Sequence, residues 1–419
     1  LAPASFRRPR EPMNTSTLAR HTEVSLPAAP AAARSALGLL KQLRIGTLTL
    51  QCPDGQALQF GSGDAPHAGL RLNSWAVFGA VLRSGDVGFG EAYVDGQWSS
   101  PDLASLLRLF LANREALERG IHGSWWGALV YRVRHALNRN SRHGSRRNIQ
   151  AHYDLGNSFY RLWLDETMNY SSAWFAGNRA QPLAHAQVAK MQRAIDECQL
   201  QPGQRLLEIG CGWGAVAELA TRDHGLHVTG VTLSDEQFAH ATDRLSKQGL
   251  AARADLRLQD YRDVPEAGFD GIVSIEMFEA VGRAYWGSYF RCVHDKLRPG
   301  GRACIQSITI RDDLFERYVR GTDFIQQYIF PGGLLPSPSG FRAAAAQAGL
   351  EVVAELDFGA DYAETLRRWR QDFLAHEGTV REQGYDERFI RLWEFYLAYC
   401  EAAFDSGSTS VMQFTLQRK

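Results

Sequence analysis

No run of this sequence approaches the roughly eighteen consecutive apolar residues that a membrane-spanning helix requires, so the chain reads as soluble or peripheral to a membrane. Its Arg-, Pro- and Ala-rich start also lacks the apolar segment of a secretory signal peptide. An excess of one charge is missing too. The 46 basic residues are balanced by 46 acidic ones, which argues against a nucleic-acid partner and leaves only local clusters to attract an anionic surface. The six cysteines, Cys52, Cys198, Cys211, Cys292, Cys304 and Cys400, form no Cys-x-x-Cys pair and no metal-ligand spacing. They read as reduced thiols in a cytoplasmic protein, with no metal site.

What is present is length and apolar content: 419 residues, 45% of them hydrophobic, suffice for two domains and a sizeable core. The chain is organised around Arg205 to Gly214, Arg-Leu-Leu-Glu-Ile-Gly-Cys-Gly-Trp-Gly. This is an apolar strand ending near an acidic residue, then glycines at alternate positions, then helix formers from Ala215 to Arg222. Glycines where a strand meets a helix N-terminus leave backbone N–H groups open to a nucleotide-like ligand. The spacing Glu208-x-Gly210-x-Gly212-x-Gly214 departs from the dinucleotide fingerprint and is similar to that of class I S-adenosylmethionine (SAM) methyltransferases. A second strand, His227 to Leu233, ends about twenty residues later in Thr-Leu-Ser-Asp-Glu-Gln, where a doubly wound fold places ribose-binding groups.

In chain order, residues 1–34 read as a disordered leader in which Met13 stands as a candidate natural start. Residues 35–122 read as a small α+β domain: Leu43 to Leu50 alternates, Gln51 to Gly63 is turn-rich, and Pro101 opens a leucine-patterned helix over Asp102 to Leu117. Residues 123–150 are basic and aromatic. No acidic residue occurs between Glu118 and Asp154, while seven arginines from Arg119 to Arg147 interleave with Trp125, Trp126, Tyr131 and aliphatic residues. Such a stretch suits a phospholipid surface, each basic side chain adding about 1 kcal/mol; a linker helix with solvated arginines is the alternative. From 151 to 419, seven strand signals alternate with helical stretches: Arg205 to Gly210, His227 to Leu233, Asp255 to Gln259, Phe269 to Ile275, Arg302 to Ile308, Glu351 to Phe358 and Ser410 to Gln417. The fold class expected is α/β, a seven-stranded doubly wound methyltransferase (Rossmann-like) domain with a late hairpin-like pair, preceded by the small domain.

Further blocks carry a closer resemblance. His152-Tyr153-Asp154-Leu155-Gly156-Asn157, Leu164 to Ala173, Gly210 to Gly214, Gly230 to Ser234, Gln259 to Arg262, Met277-Phe278-Glu279-Ala280-Val281-Gly282, Tyr328 to Gly333 and Phe358 to Tyr362 together resemble the cyclopropane-fatty-acyl-phospholipid synthase family, over roughly Leu70 to the C-terminus. The resemblance implies SAM against Tyr170, Ser171, Glu208, the Gly210, Gly212 and Gly214 turn, Thr232, Leu233, Gln237, Asp260 and Tyr261. It implies transfer of a methylene group to the cis double bond of an unsaturated phospholipid acyl chain, through a carbocation whose proton is taken by a bound bicarbonate. That bicarbonate would be held by Glu279, Tyr362, Gln306, Ser172 and Ile308, with Glu279 the leading candidate. Capping of a helix is the alternative role for Glu279. Cys400 matches a cysteine once regarded as catalytic, but its amphipathic helix points to packing or a pocket wall.

Three positions depart from the best-known bacterial pattern: Ser172 for Cys, Gln306 for His, and Ala280 for the His after the glutamate. Gln306 donates to an anion without titrating. These departures leave the product open between a cyclopropane ring and a methylene or methyl branch, and a non-catalytic lipid-binding protein is the reading from another class. A homodimer and peripheral association with the inner membrane complete what the resemblance implies.

Overall fold

The computed structural model describes residues 29–120 and 155–419, so the basic aromatic stretch and most of the leader lie outside it. The described residues form two compact units, one made of those up to Gly79 and from Gly96 to 120, the other of Ala80–Asp95 and 155–419.

In the first unit, helix α1 (Ala31–Leu40) begins inside the stretch read as leader and buries Ala33, Ala36, Leu37 and Leu40. Strands β1 (Thr47–Gln51), β2 (Ala57–Gly61), β3 (His67–Leu72) and β4 (Trp98–Ser99) form a sheet in the order β2-β1-β3-β4. β2 lies in the segment expected to be turns. Leu58 and Phe60 alternate inward there, and antiparallel pairing with β1 supplies the order that the short pattern did not announce. After helix α2 (Ala76–Val94), discussed below, comes the leucine-patterned helix α3 (Leu103–Ala112), capped by the Asp102 carboxylate, which accepts from Ser105 N at 3.0 Å.

The second unit holds a seven-stranded sheet in the order β10-β11-β9-β8-β5-β6-β7. Its strands are β5 (Arg205–Ile209), β6 (His227–Thr232), β7 (Ala254–Leu258), β8 (Phe269–Ile275), β9 (Leu297–Ile310), β10 (Leu350–Asp357) and β11 (Thr409–Arg418). β5 through β9 pair in parallel, while β11 runs antiparallel to both β9 and β10. The chain winds outward from β5 in two directions, so the crevice at the C-terminal end of β5 is the topological switch point where such sheets bind ligands. The late pair is joined by the helices Gly359–Ala375, Glu377–Glu382 and Glu387–Asp405 rather than by a tight turn.

One apolar cluster contains Phe278, Phe290, Phe341 and Phe414, and another contains Met191, Leu206, Val216 and Val273. A third, rich in aromatic rings, surrounds Phe159, whose ring meets Trp393 edge-on at 5.0 Å between centroids. Such pairs add about 0.5–1.5 kcal/mol beyond area burial and hold the helices Gly359–Ala375 and Glu387–Asp405 over the end of the sheet.

Candidate active site

The turn after β5 is built from left-handed glycines: φ is 86° at Gly210, 49° at Gly212 and 84° at Gly214. Gly210 N and Cys211 N both donate to Val231 O, at 3.0 and 2.9 Å, tying the turn to β6. A Cβ at Gly210 would come within 3.1 Å of Met277, and one at Gly214 within 2.9 Å of Ala241. At Gly212 a Cβ would meet nothing within 4 Å, so this backbone faces open space, as a ligand cradle requires. Beneath the turn lies the buried carboxyl of Glu208, pushed up to about 8 by burial, with Oε2 lacking a partner among the described residues. A ligand with a polar or cationic group fits that orphaned oxygen. At the end of β6, Thr232 Oγ1 donates to Gln237 Oε1 at 2.9 Å. Beyond β7, Asp260 accepts from Arg262 Nε at 2.8 Å and Nη2 at 2.5 Å.

These groups open onto one cavity of about 340 Å³, in the range of small-molecule sites. Tyr170, Ser171, Glu208, Gly210, Gly212, Thr232, Leu233, Gln237, Asp260 and Tyr261, all expected beside SAM, line it. So do Glu279, Ile308, Tyr362 and Cys400, expected at the reacting end. Apolar side chains including Phe330, Leu334, Leu335, Leu366 and Phe404 complete the wall, an environment suited to a hydrocarbon chain. Three expected residues stand back from the cavity: Gly214 packs against Ala241, while Ser172 and Gln306 are fully buried behind its wall.

What Ser172, Gln306 and Tyr362 contact is Glu276, a residue that reading the sequence did not single out. Ser172 N and Gln306 Nε2 each donate to Glu276 Oε1 at 2.8 Å, and the Tyr362 hydroxyl donates to Oε2 at 2.7 Å. Glu276 lines the cavity and has φ 49°, a left-handed conformation costly for a side chain with a Cβ. Burial pushes its carboxyl up, while Lys190 and the three donors oppose the rise. Lys190, also fully buried, donates to Ser171 Oγ at 2.6 Å; its ammonium is lowered by burial to about 8. The available signal for Glu276 was an acidic residue closing the apolar strand Phe269–Ile275, on the ligand-binding edge of a parallel sheet.

Glu279 lies one turn further, in a short 3₁₀ segment (Phe278–Ala280). Its Oε1 accepts from Ile308 N and, at 3.1 Å, from Ser307 Oγ, while Oε2 is buried with no partner among the described residues. Burial, reinforced by the neighbouring Glu276, pushes its carboxyl up to about 8. The donors expected around a bicarbonate are therefore taken up by two carboxyl groups of the chain itself. Cys400 lines the cavity as a thiol, its ionisation pushed well above the ordinary range by burial and then by Asp323.

The arrangement offers a cradle for a nucleotide-like ligand, an apolar compartment, and a carboxylate fixed by three donors where the two meet. Comparison with known proteins gives the same direction. The family model described as "Mycolic acid cyclopropane synthetase" matches residues 140–414. The tuberculostearic acid methyltransferase UfaA1 of Mycobacterium tuberculosis is 41% identical over 347 residues, 81% of this chain and 80% of that protein. The cyclopropane-fatty-acyl-phospholipid synthase of Escherichia coli is 35% identical over 360 residues, 85% and 89% of the two chains. The crystal structure of the mycolic acid cyclopropane synthase CmaA1, complexed with SAH and CTAB, is 32% identical with a TM-score of 0.61, covering 65% of this chain and 98% of that one. With its glycine cradle, its sheet order and a family match over 140–414, the chain belongs to the mycolic acid cyclopropane synthetase family of SAM-dependent methyltransferases.

Proposed function

We propose that the protein alkylates the cis double bond of an unsaturated phospholipid acyl chain with the methyl carbon of SAM, and that Glu276 takes up the proton released. The observation that carries this reading is the Glu276 carboxylate, held by Ser172, Gln306 and Tyr362 between the glycine cradle and the apolar wall.

SAM supplies an electrophilic methyl group on its sulfonium. The residues around the glycine turn would orient it, Glu208 Oε2 being the free acceptor at the base. An alkene is a weak nucleophile, so its π electrons must be held in line with that carbon in a compartment from which water is excluded; Phe330, Leu334, Leu366 and Phe404 provide that wall. Attack leaves a carbocation on the acyl chain, which aromatic faces such as Tyr170 and Phe330 stabilise. Glu276 then removes a proton from the new methyl group, and the released C–H electron pair closes the ring onto the cationic carbon. Glu276 thus takes the role that the resemblance assigns to bicarbonate. The donors that would hold a second anion there are occupied.

A second reading keeps the same first step and resolves the cation by hydride shift and proton loss, giving a methylene branch; a separate nicotinamide-dependent reductase would have to add hydride and a proton to make it a methyl branch. The observation favouring it is the 41% identity to a protein named for tuberculostearic acid methylation.

Lipids from a host expressing the chain, analysed by mass spectrometry, test both. A gain of one CH₂ unit on unsaturated acyl chains is expected, and fragmentation after hydrogenation separates ring from branch. In vitro, Glu276→Gln should keep SAM binding and lose turnover by about 10²-fold or more, the scale of a missing general base. Wild-type turnover in that variant, or a wild-type rate that follows added bicarbonate, would return the proton to a bound anion.

A further inference from the structure

Behind the cavity wall lies a layer of buried polar side chains that carries no substrate contact. Gln306 on β9 and Gln413 on β11 are directly opposed in the antiparallel register, and both are fully buried. Gln413 Nε2 donates to Gln306 Oε1 at 3.0 Å and to Lys190 O at 3.1 Å. Its Oε1 accepts from Arg193 Nη1 at 2.5 Å, and Arg193 Nη2 is held in turn by Glu197 Oε1 at 3.1 Å. Arg193 and Lys190 project from the helix Leu183–Asp196.

We infer that Arg193 and Gln413 are positioning residues that fix which end of the Gln306 amide faces Glu276. A guanidinium has donors and no acceptor, so whatever it contacts must present oxygen. Arg193 therefore commits Gln413 Oε1 toward itself and its NH₂ group toward Gln306. Gln306 must then offer Oε1 to Gln413, which leaves Nε2, a donor, for Glu276 Oε1. Each amide taken alone has two orientations of similar shape; the charged end removes that freedom and polarises the chain toward the carboxylate. Without the guanidinium, Gln306 can present its carbonyl oxygen to Glu276, which costs the carboxylate a donor and adds repulsion. The inference rests on Glu276 being the base. It also explains how a neutral amide at position 306 serves: its direction is imposed by Arg193, two hydrogen bonds away.

The groups that face Glu276 from the elements around it are Lys190, Tyr362, Gln306 and Glu279, together with Ser172 N. Losing the Gln306 donor leaves Ser172 N, Tyr362 and Lys190 to favour the anion, so the carboxyl should take up its proton at higher pH. Activity needs the anion, so the acid limb of the kcat profile should move upward in pH.

The test measures methyl transfer to dioleoyl phospholipid vesicles at saturating SAM across pH for the wild type, Gln413→Leu, Arg193→Met, Arg193→Lys and Glu276→Gln. Gln413→Leu and Arg193→Met should lower kcat at neutral pH roughly tenfold, the scale of one charge-assisted hydrogen bond. They should leave KM for SAM in place, shift the acid limb upward and recover part of the loss at high pH; Arg193→Lys should restore much of it. If Gln413→Leu does not fold, Arg193→Met carries the test from a site near the surface. A profile superimposable on wild type in a folded variant, or a rise in KM matching the fall in kcat, overturns the relay while leaving Glu276 in place. Full turnover in Glu276→Gln overturns the base itself.

Discussion

Glu276 and Glu279 are three residues apart, both partly buried at the cavity wall and both raised by desolvation, yet their surroundings differ in kind. Glu276 accepts from three donors on its two oxygens and lies near Lys190, all of which favour the anion. Glu279 has backbone and hydroxyl donors on one oxygen only, and Glu276 works against its ionisation. The different surroundings suit the two carboxyls to different roles: the proposed base Glu276 has donors on both oxygens, whereas Glu279 Oε2 has none among the described residues. A carboxyl raised from 4.5 to about 8 stabilises the fold below its unfolded value and loses that contribution as pH rises towards 8. The melting temperature of the wild type should therefore fall between about pH 5 and pH 9, and Glu279→Gln, which has no proton to lose, should show a shallower fall by calorimetry. Parallel curves would mean that Glu279 titrates normally.

At the scale of elements, α2 changes course at a single glycine. Gly85, with φ 59° and ψ −130°, breaks its helical path, and residues 80–95 belong to the unit that carries the cavity. There Tyr93 donates to Glu394 Oε2 at 2.7 Å and Arg391 lies 4.2 Å above the Tyr93 ring. A Cβ at Gly90 would stand 2.4 Å from the Phe324 ring and 2.9 Å from that of Phe395. Helix propensity favours Ala over Gly by up to about 1 kcal/mol, but overpacking costs about 1–3 kcal/mol. Gly90→Ala is thus expected to lower stability by a net amount on the order of 1 kcal/mol, or about 2–4 °C in melting temperature. An increase would show that the ring of Phe324 gives way. The seven strand signals all became strands, because each was an apolar or alternating run bounded by turn residues. The β2 strand was hidden because its partner, not its composition, orders it.

For the whole molecule, no helix among the described residues is long and apolar enough to cross a membrane. We propose that the arginines between Arg132 and Arg147 attach the protein to a bilayer surface by attraction to anionic headgroups. Reversing several to Glu should weaken sedimentation with anionic vesicles and abolish its salt sensitivity, while SAM affinity stays unchanged. Equal vesicle binding by both forms would assign that stretch to linking alone. A homodimer in the cytoplasm at the inner membrane remains part of the same proposal.

The sequence by itself determined the sheet and the glycine turn, because these are written in contiguous runs: an apolar strand, a turn that only glycine tolerates, a helix start. The other residues expected beside SAM, Tyr170 and Tyr261 among them, came through resemblance, and the structure places them on one cavity. It also marked Ser172, Gln306 and Tyr362 as a set, through resemblance. It did not reveal their common partner. Glu276 reads locally as the polar end of a strand, and Gln413 and Arg193 read as ordinary polar residues 137 and 83 positions away from it. Only the antiparallel pairing of β9 with β11, and the helix Leu183–Asp196 laid behind them, brings amide, guanidinium and carboxylate within hydrogen-bond distance. Hydrogen bonds are short and directional, so which donor meets which acceptor is decided by tertiary register and not by pattern along the chain.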